Sequence, residues 1–284
     1  MRALAVLVVA LLVAGCGGTS DSDGRPTVVA GFYPLAWAAQ HIAGPGVHVV
    51  NMTPAGAEPH DLELAPSDIE AIDDAQLVLY LGHGFQPAVE KAAEDRSGPS
   101  LDLLAGQRLA AAGEEEGMGV DPHVWLDPVR FARIAVAIGA ALHRESAAAT
   151  VAARLYRLDA EFRAGLRGCE RRELVTSHAA FGYLAKRYDL SQVALTGLSP
   201  EAEPSPRDLE TLVDRVRESG ATTVFFETLV SPRLAQTVAR EAGAKTAVLD
   251  PVEGLTDDEV AAGDDYVTVM RRNLSTLRQA LACR

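Results

Sequence analysis

The sequence predicts an α/β protein of two lobes, each a small parallel sheet flanked by helices, joined by long helices. Three patterns carry that prediction. Short β-branched runs alternate with helical stretches over residues 26–127, residues 128–168 are almost all helix formers, and residues 169–284 repeat the first pattern. The length of 284 residues suits two domains, since domains cluster near about 100–150 residues. A hydrophobic fraction of 48% with 23% charged residues excludes wholesale disorder.

The chain opens on Met1-Arg2 and an unbroken apolar run from Ala3 to Val13. That run is about half of the ~20 residues needed to span a bilayer, and it reads as the apolar region of a secretory signal. Val13-Ala14-Gly15-Cys16 follows and resembles a bacterial lipobox, in which the cysteine is lipidated and becomes the new N-terminus. Residues 1–15 are therefore expected to be a lipoprotein signal peptide, Cys16 the lipidation site and 16–25 a flexible polar tether. The expected location is extracytoplasmic, lipid-anchored to the cell membrane. The alternative is a buried strand with a chance cysteine.

Within the N-terminal lobe, 26–127, the expected strands are Thr27–Phe32, Val47–Met52, Leu77–Leu81 and Leu101–Leu104. One helix opens at Pro66-Ser67-Asp68, with Ser67 or Asp68 as N-cap. After the acidic, Gly-rich stretch 113–119 come the linking helices, 128–168, expected to break near Arg144–Ser146. They carry Val151, Leu155, Leu158, Phe162 and Leu166 at helical spacing. The C-terminal lobe, 169–284, has expected strands Glu173–Ser177, Gln192–Thr196, Thr222–Phe226 and Lys245–Leu249 and a last helix near Asp264–Ala282. A second proline-serine start, Pro204-Ser205-Pro206, echoes the first, but this is general helix-start chemistry and weak evidence of duplication.

Charge and cysteines narrow the class. With 26 basic and 39 acidic side chains the net charge is −13, which argues against nucleic acid as a partner because phosphate binding needs a basic footprint. Removing residues 1–15 takes away only Arg2 and leaves −14. Cationic ligands stay open. With Cys16 consumed by lipid, Cys169 and Cys283 remain as a pair in a compartment that permits disulfides, and they are predicted to bond and pin the last helix to the second lobe. Two separate buried thiols are the alternative.

Ligands of open parallel sheets bind beyond the carboxyl ends of the strands. His178 and Asp250 directly follow predicted strands, and His60 and His123 lie in loops after two others. Three imidazoles and one carboxylate, two groups from each lobe, suit a four-coordinate borderline-soft ion such as Zn²⁺. Glu58, beside His60, either neighbours the metal or accepts a hydrogen bond. Glu227, also at a strand end, either orients a ligand imidazole or is structural. His41, His48, His83 and His143 read as surface or helix-end histidines, with His83 nearest the cleft.

The blocks Gly56-Ala57-Glu58-Pro59-His60-Asp61-Leu62-Glu63, Asp121-Pro122-His123-Val124-Trp125-Leu126-Asp127-Pro128, Thr176-Ser177-His178-Ala179-Ala180-Phe181-Gly182-Tyr183, Glu201-Ala202-Glu203-Pro204-Ser205 and Leu249-Asp250-Pro251 make the chain recognisable. It resembles the metal-binding solute-binding proteins of bacterial ABC transporters, and within them the zinc-uptake members. The resemblance implies a rigid backbone helix between the lobes and metal ligands at His60, His123, His178 and Asp250. It also implies transported Zn²⁺, a monomer, and a cognate ABC permease and ATPase as partners. Manganese-type relatives commonly carry a glutamate where His178 stands, so a manganese- or iron-specific protein is the alternative within the family. The long histidine-rich loop frequent in zinc-uptake members is replaced by a short one with Glu114, Glu115 and Glu116.

No enzyme is expected. A catalytic zinc normally keeps an open position beside three protein ligands, whereas four are available here, and neither HExxH nor GxSxG occurs. A zinc hydrolase is the reading from another class; a surface adhesin would add to metal binding rather than replace it. The helical spine and proline-flanked ligands predict small motions on binding.

Overall fold

The computed structural model describes residues 24–112, 119–200 and 205–284. Signal peptide 1–15, Cys16 and the tether as far as residue 23 lie outside the described residues, as do Glu114, Glu115, Glu116 and 201–204.

The first half runs β1 (Thr27–Ala30), α1 (Tyr33–Ala43), β2 (His48–Asn51), α2 (Pro66–Asp74), β3 (Leu77–Tyr80), α3 (Pro87–Asp95) and β4 (Ser100–Asp102). Its strands form a parallel sheet in the order β2-β1-β3-β4, with Val29 opposite both Val50 and Val78. Helix α2 starts differently from expectation: Pro66 takes the first helical position and Ala65 precedes it, so neither Ser67 nor Asp68 is the N-cap. Asp68, one turn in, instead accepts a hydrogen bond from the Ala65 N–H at 2.8 Å.

The spine is a hairpin of α4 (Pro128–Ala141) and α5 (Glu145–Leu166). Asp127 caps α4 by accepting from the Val129 and Arg130 N–H groups at 2.9 and 3.3 Å. The helices turn at residues 142–144, slightly before the expected break, with His143 in the left-handed region at φ 54°. Gly139 is required where they approach, because a Cβ there would lie 2.2 Å from that of Ala148.

The second half comprises β5 (Glu173–Thr176), α6 (Gly182–Arg187), β6 (Ser191–Ala194), α7 (Pro206–Ser219), β7 (Thr223–Phe226), α8 (Arg233–Ala242), β8 (Lys245–Val248), α9 (Asp257–Ala262) and α10 (Tyr266–Ala280). Its parallel sheet has the order β6-β5-β7-β8, the same topology as the first. Ser205 and Asp208 form a reciprocal cap at the start of α7.

Helix α1 from the first half and α10 from the second both pack on the spine. One apolar cluster therefore runs through the molecule, from Phe32, Leu35 and Trp37 through Phe131, Leu155 and Phe162 to Tyr266 and Met270. Polar ties cross the same boundary. Trp125 Nε1 donates to the Pro251 carbonyl at 2.7 Å, Tyr266 OH to the Trp125 carbonyl at 2.6 Å, and the Gly56 N–H to the Leu255 carbonyl at 2.9 Å. Cys169, after α5, is disulfide-bonded to Cys283, after α10. Among the described residues no helix is long and apolar enough to cross a membrane.

Candidate metal centre

Each sheet sends its strand-following loops towards one point. His60 arrives after β2, His123 after β4, His178 after β5 and Glu253 after β8. One ligand atom from each of these four lies within 4.8 Å of all the others. The three Nε2 atoms of His60, His123 and His178 sit 3.6, 3.3 and 3.5 Å from Glu253 Oε1. All four atoms are buried and lack a hydrogen-bond partner. Polar atoms are not normally left buried and unpaired. Four of them facing one another form a ready donor set.

The rings are held from behind. His123 Nδ1 pairs with Asp121 Oδ1 at 2.9 Å, and the same oxygen accepts the His123 backbone N–H at 2.9 Å. His178 Nδ1 pairs with Glu227 Oε1 at 2.6 Å, and the Ser177 hydroxyl donates to that oxygen too. A carboxylate at Nδ1 favours the tautomer whose Nε2 lone pair faces the centre. His60 packs edge-on to Phe85, with ring centroids 4.7 Å apart, and its backbone N–H donates to Glu58 Oε2 at 2.9 Å. The other Glu58 oxygen is 4.0 Å from His60 Nε2.

Electrostatics follow from this packing. Burial drives the His60 imidazole below its ordinary pKa. At His123 and His178 burial acts the same way but is outweighed. The hydrogen-bonded Asp121 and the facing charge of Glu253 raise His123, and the hydrogen-bonded Glu227 with the same Glu253 charge holds His178 well above the usual range. Burial would raise Glu253, yet three facing imidazoles bring it well below the carboxylate range. Glu58 is pushed up to about 8 by burial and then by the charge of Glu253.

Asp250, expected among the ligands, stands outside this group. Its Oδ1 accepts from the Val252 N–H at 2.6 Å and its Oδ2 from the Thr228 hydroxyl at 3.0 Å. Burial pushes its pKa up to about 7, and the Val252 N–H works against that. The carboxylate that joins the three imidazoles is Glu253, three residues further along the same loop. Only its place in that loop after a strand signalled it in the sequence. Asp121 was likewise not singled out as an orienting carboxylate, although the Asp121-Pro122-His123 run contains it. Glu227 touches His178 as one of its two readings expected, and His83 is an exposed residue outside the group.

Two parallel α/β halves closing over three imidazoles and a carboxylate define a two-lobed protein with a metal-ligand set in its cleft. The chain belongs to the family described as zinc-uptake complex component A, periplasmic (ZnuA), which it matches over residues 28–280. It is 35% identical over 300 residues to the high-affinity zinc uptake system protein ZnuA of Bacillus subtilis strain 168, covering 95% of this chain and 94% of that one. It is also 35% identical over 289 residues to the zinc-binding protein AdcA of Streptococcus pyogenes serotype M1; that match covers 90% of this chain but only 56% of AdcA, little more than half its length. Among solved structures, the Zn(II)-bound ZnuA-like domain of Streptococcus pneumoniae AdcA superposes with a TM-score of 0.79 at 34% identity, covering 91% of this chain and 99% of that one. The laminin binding protein Lmb of Streptococcus agalactiae does so with 0.80 at 31% identity, covering 90% and 99%.

Proposed function

We propose that this protein captures Zn²⁺ outside the cytoplasm and delivers it to an ABC permease driven by its ATPase. The observation that carries the reading is the convergence of four buried, unpaired donor atoms, one from each of His60, His123, His178 and Glu253. Three imidazoles with one carboxylate favour zinc over the harder manganese ion by ligand softness. Membership of the zinc-uptake family and the likeness to a Zn(II)-bound domain support the same ion. Four protein donors leave no coordination position reserved for a reacting water, which supports a carrier rather than a hydrolase. A lipid anchor at Cys16 would hold this carrier, as a monomer, at the membrane surface where a permease works.

Calorimetric titration of the metal-free protein with zinc and with manganese tests the proposal. One zinc per chain, bound tighter than manganese by orders of magnitude and lost in both His178→Ala and Glu253→Gln, is expected. Manganese binding as tight as zinc overturns the metal assignment, and stoichiometric zinc binding by both variants overturns the site. The likeness to Lmb, a protein described as having adhesin as well as metal-transporting activity, supports a second role in adhesion. Failure of the intact protein to bind laminin would remove that second role.

A further inference from the structure

We infer that Asp250 is a positioning residue: its carboxylate holds the turn Asp250-Pro251-Val252-Glu253 in the one shape that carries Glu253 into the three-imidazole group. The inference rests on the reading of Glu253 as a zinc ligand.

Val252 has φ 56°, a left-handed conformation in which a β-branched side chain is an outlier. Left to itself, valine at this position would return to negative φ and swing the following residue away. Asp250 Oδ1 takes the Val252 N–H at 2.6 Å, the two-residue reach by which an aspartate mimics a backbone turn. Thr228, in the loop after β7, donates to Oδ2 and fixes the carboxylate itself. The backbone of Asp250 is clamped as well, since Asn273 of α10 accepts its N–H at 2.9 Å and donates to its carbonyl at 2.6 Å. The next carbonyl, that of Pro251, accepts from Trp125 Nε1 two residues beyond His123. The turn is thus gripped at three successive residues, and the grip on its strained residue comes from Asp250. Both carboxylate oxygens serve this turn and Asp250 lies outside the group of facing donor atoms, which gives it a purpose there other than ligation.

Zinc affinity by chelator competition, with the absorption spectrum of the Co²⁺-loaded protein as a second readout, tests this on the full chain. Asp250→Ala is expected to weaken zinc by about 10- to 100-fold, the usual cost of losing an outer partner of a metal ligand. Adding Val252→Gly, which makes positive φ unstrained, is expected to restore part of that loss while lowering the melting temperature, because a fully buried valine is removed. A merely structural role would move affinity and stability together. Asp250→Asn keeps one oxygen for the Val252 N–H and is expected to bind zinc, and colour with Co²⁺, like the unaltered protein. If Asp250→Asn is as weak as Asp250→Ala and Val252→Gly restores nothing, Asp250 acts as a ligand and the inference falls. If Asp250→Ala binds normally, it falls equally. Glu253→Gln separates the two levels: normal zinc binding by that variant defeats the Glu253 reading itself, whereas weak binding leaves the Asp250 result to stand alone.

Discussion

Replacing both Cys169 and Cys283 by serine is expected to lower stability by an amount that the loop length sets. The bridge joins residues 114 apart in sequence. On the chain-entropy relation a closed loop of that size corresponds to about 4.8 kcal/mol. For a chain of this class each kcal/mol moves the melting midpoint by about 2–4 °C, so the double variant should melt about 10–20 °C lower. The native contacts around the bridge predict that the folded state survives its loss. The Glu170 and Arg171 N–H groups both donate to the Leu281 carbonyl at 3.1 Å, so the two ends stay adjacent without the sulfurs. The Arg284–Glu170 ion pair beside them is 87% and 53% exposed and adds little. The stabilisation therefore resides in the unfolded chain. Scanning calorimetry of the metal-free double variant against the oxidised parent is the assay. Zinc affinity should not change, because Asn273 lies seven residues, about 10 Å, before the end of α10. A midpoint unchanged by the double substitution would refute the loop-entropy reasoning, and a large loss of zinc affinity would refute the separation of bridge and site.

Glu227→Gln should weaken zinc by about 10- to 100-fold, since a buried charged hydrogen bond to His178 Nδ1 at 2.6 Å is worth about 1.5–3 kcal/mol; chelator competition showing no change would discard the orienting role. Asp159 accepts from Arg163, Arg187 and Tyr188. Burial raises its pKa, but the two arginines outweigh that and hold it below the ordinary value. Its contribution is thus present above the unfolded value of about 3.9 and is lost as pH falls through the lower folded value. Urea midpoints of Asp159→Asn should decline less steeply than the parent's below about pH 4, and parallel declines would remove this carboxylate as a source of acid sensitivity. Hydrogen exchange should show zinc slowing the amides of residues 55–61 while those of α5 stay slow with or without metal. Equal slowing of both would mean the whole molecule opens.

The alternation of β-branched and helical runs was readable because parallel strands buried on both faces have few alternatives; β1, with Val28 and Val29 fully buried, is such a run. His60, His123 and His178 were readable for a related reason, as loops at the carboxyl ends of parallel strands converge. The fourth donor was not. Asp250 and Glu253 share one loop, and choosing between them depends on the direction of a turn whose pivot is a valine at φ 56°. Valine carries no propensity for that conformation. It is imposed by Asp250, Thr228, Asn273 and Trp125, residues brought together only by the finished fold. The N-cap of α2 was misplaced for a smaller reason, since proline at the first helical position shifts the cap to Ala65, a residue with no capping side chain.

How metal enters and leaves is decided by what each opening motion would expose. Parting the halves along the spine would uncover Trp125 and Tyr266, which are 1% and 0% exposed and joined by a 2.6 Å hydrogen bond. Aromatic side chains bury about 150–250 Å² each, worth about 4–6 kcal/mol apiece at 25 cal/mol per Å². Two of them alone approach the whole stability of a typical domain, about 5–15 kcal/mol. A wide hinge is thus too costly to serve as the working motion. The four donors differ in cover: His123 and His178 are 0% exposed and Glu253 is 1%, whereas His60 is 8% exposed. The segment carrying His60 has exposed residues from Pro54 to Gly56 and is tied to the other half by the backbone hydrogen bond from the Gly56 N–H to the Leu255 carbonyl. Releasing that bond and turning His60 outward opens the group at the cost of about one hydrogen bond, about 0.5–1.5 kcal/mol, together with lost packing on Phe85. The three remaining donors would stay fixed by Asp121, Glu227 and the Asp250 turn. On these costs, turning His60 outward is the less expensive of the two motions, and it leaves the core and the other three facing donors in place.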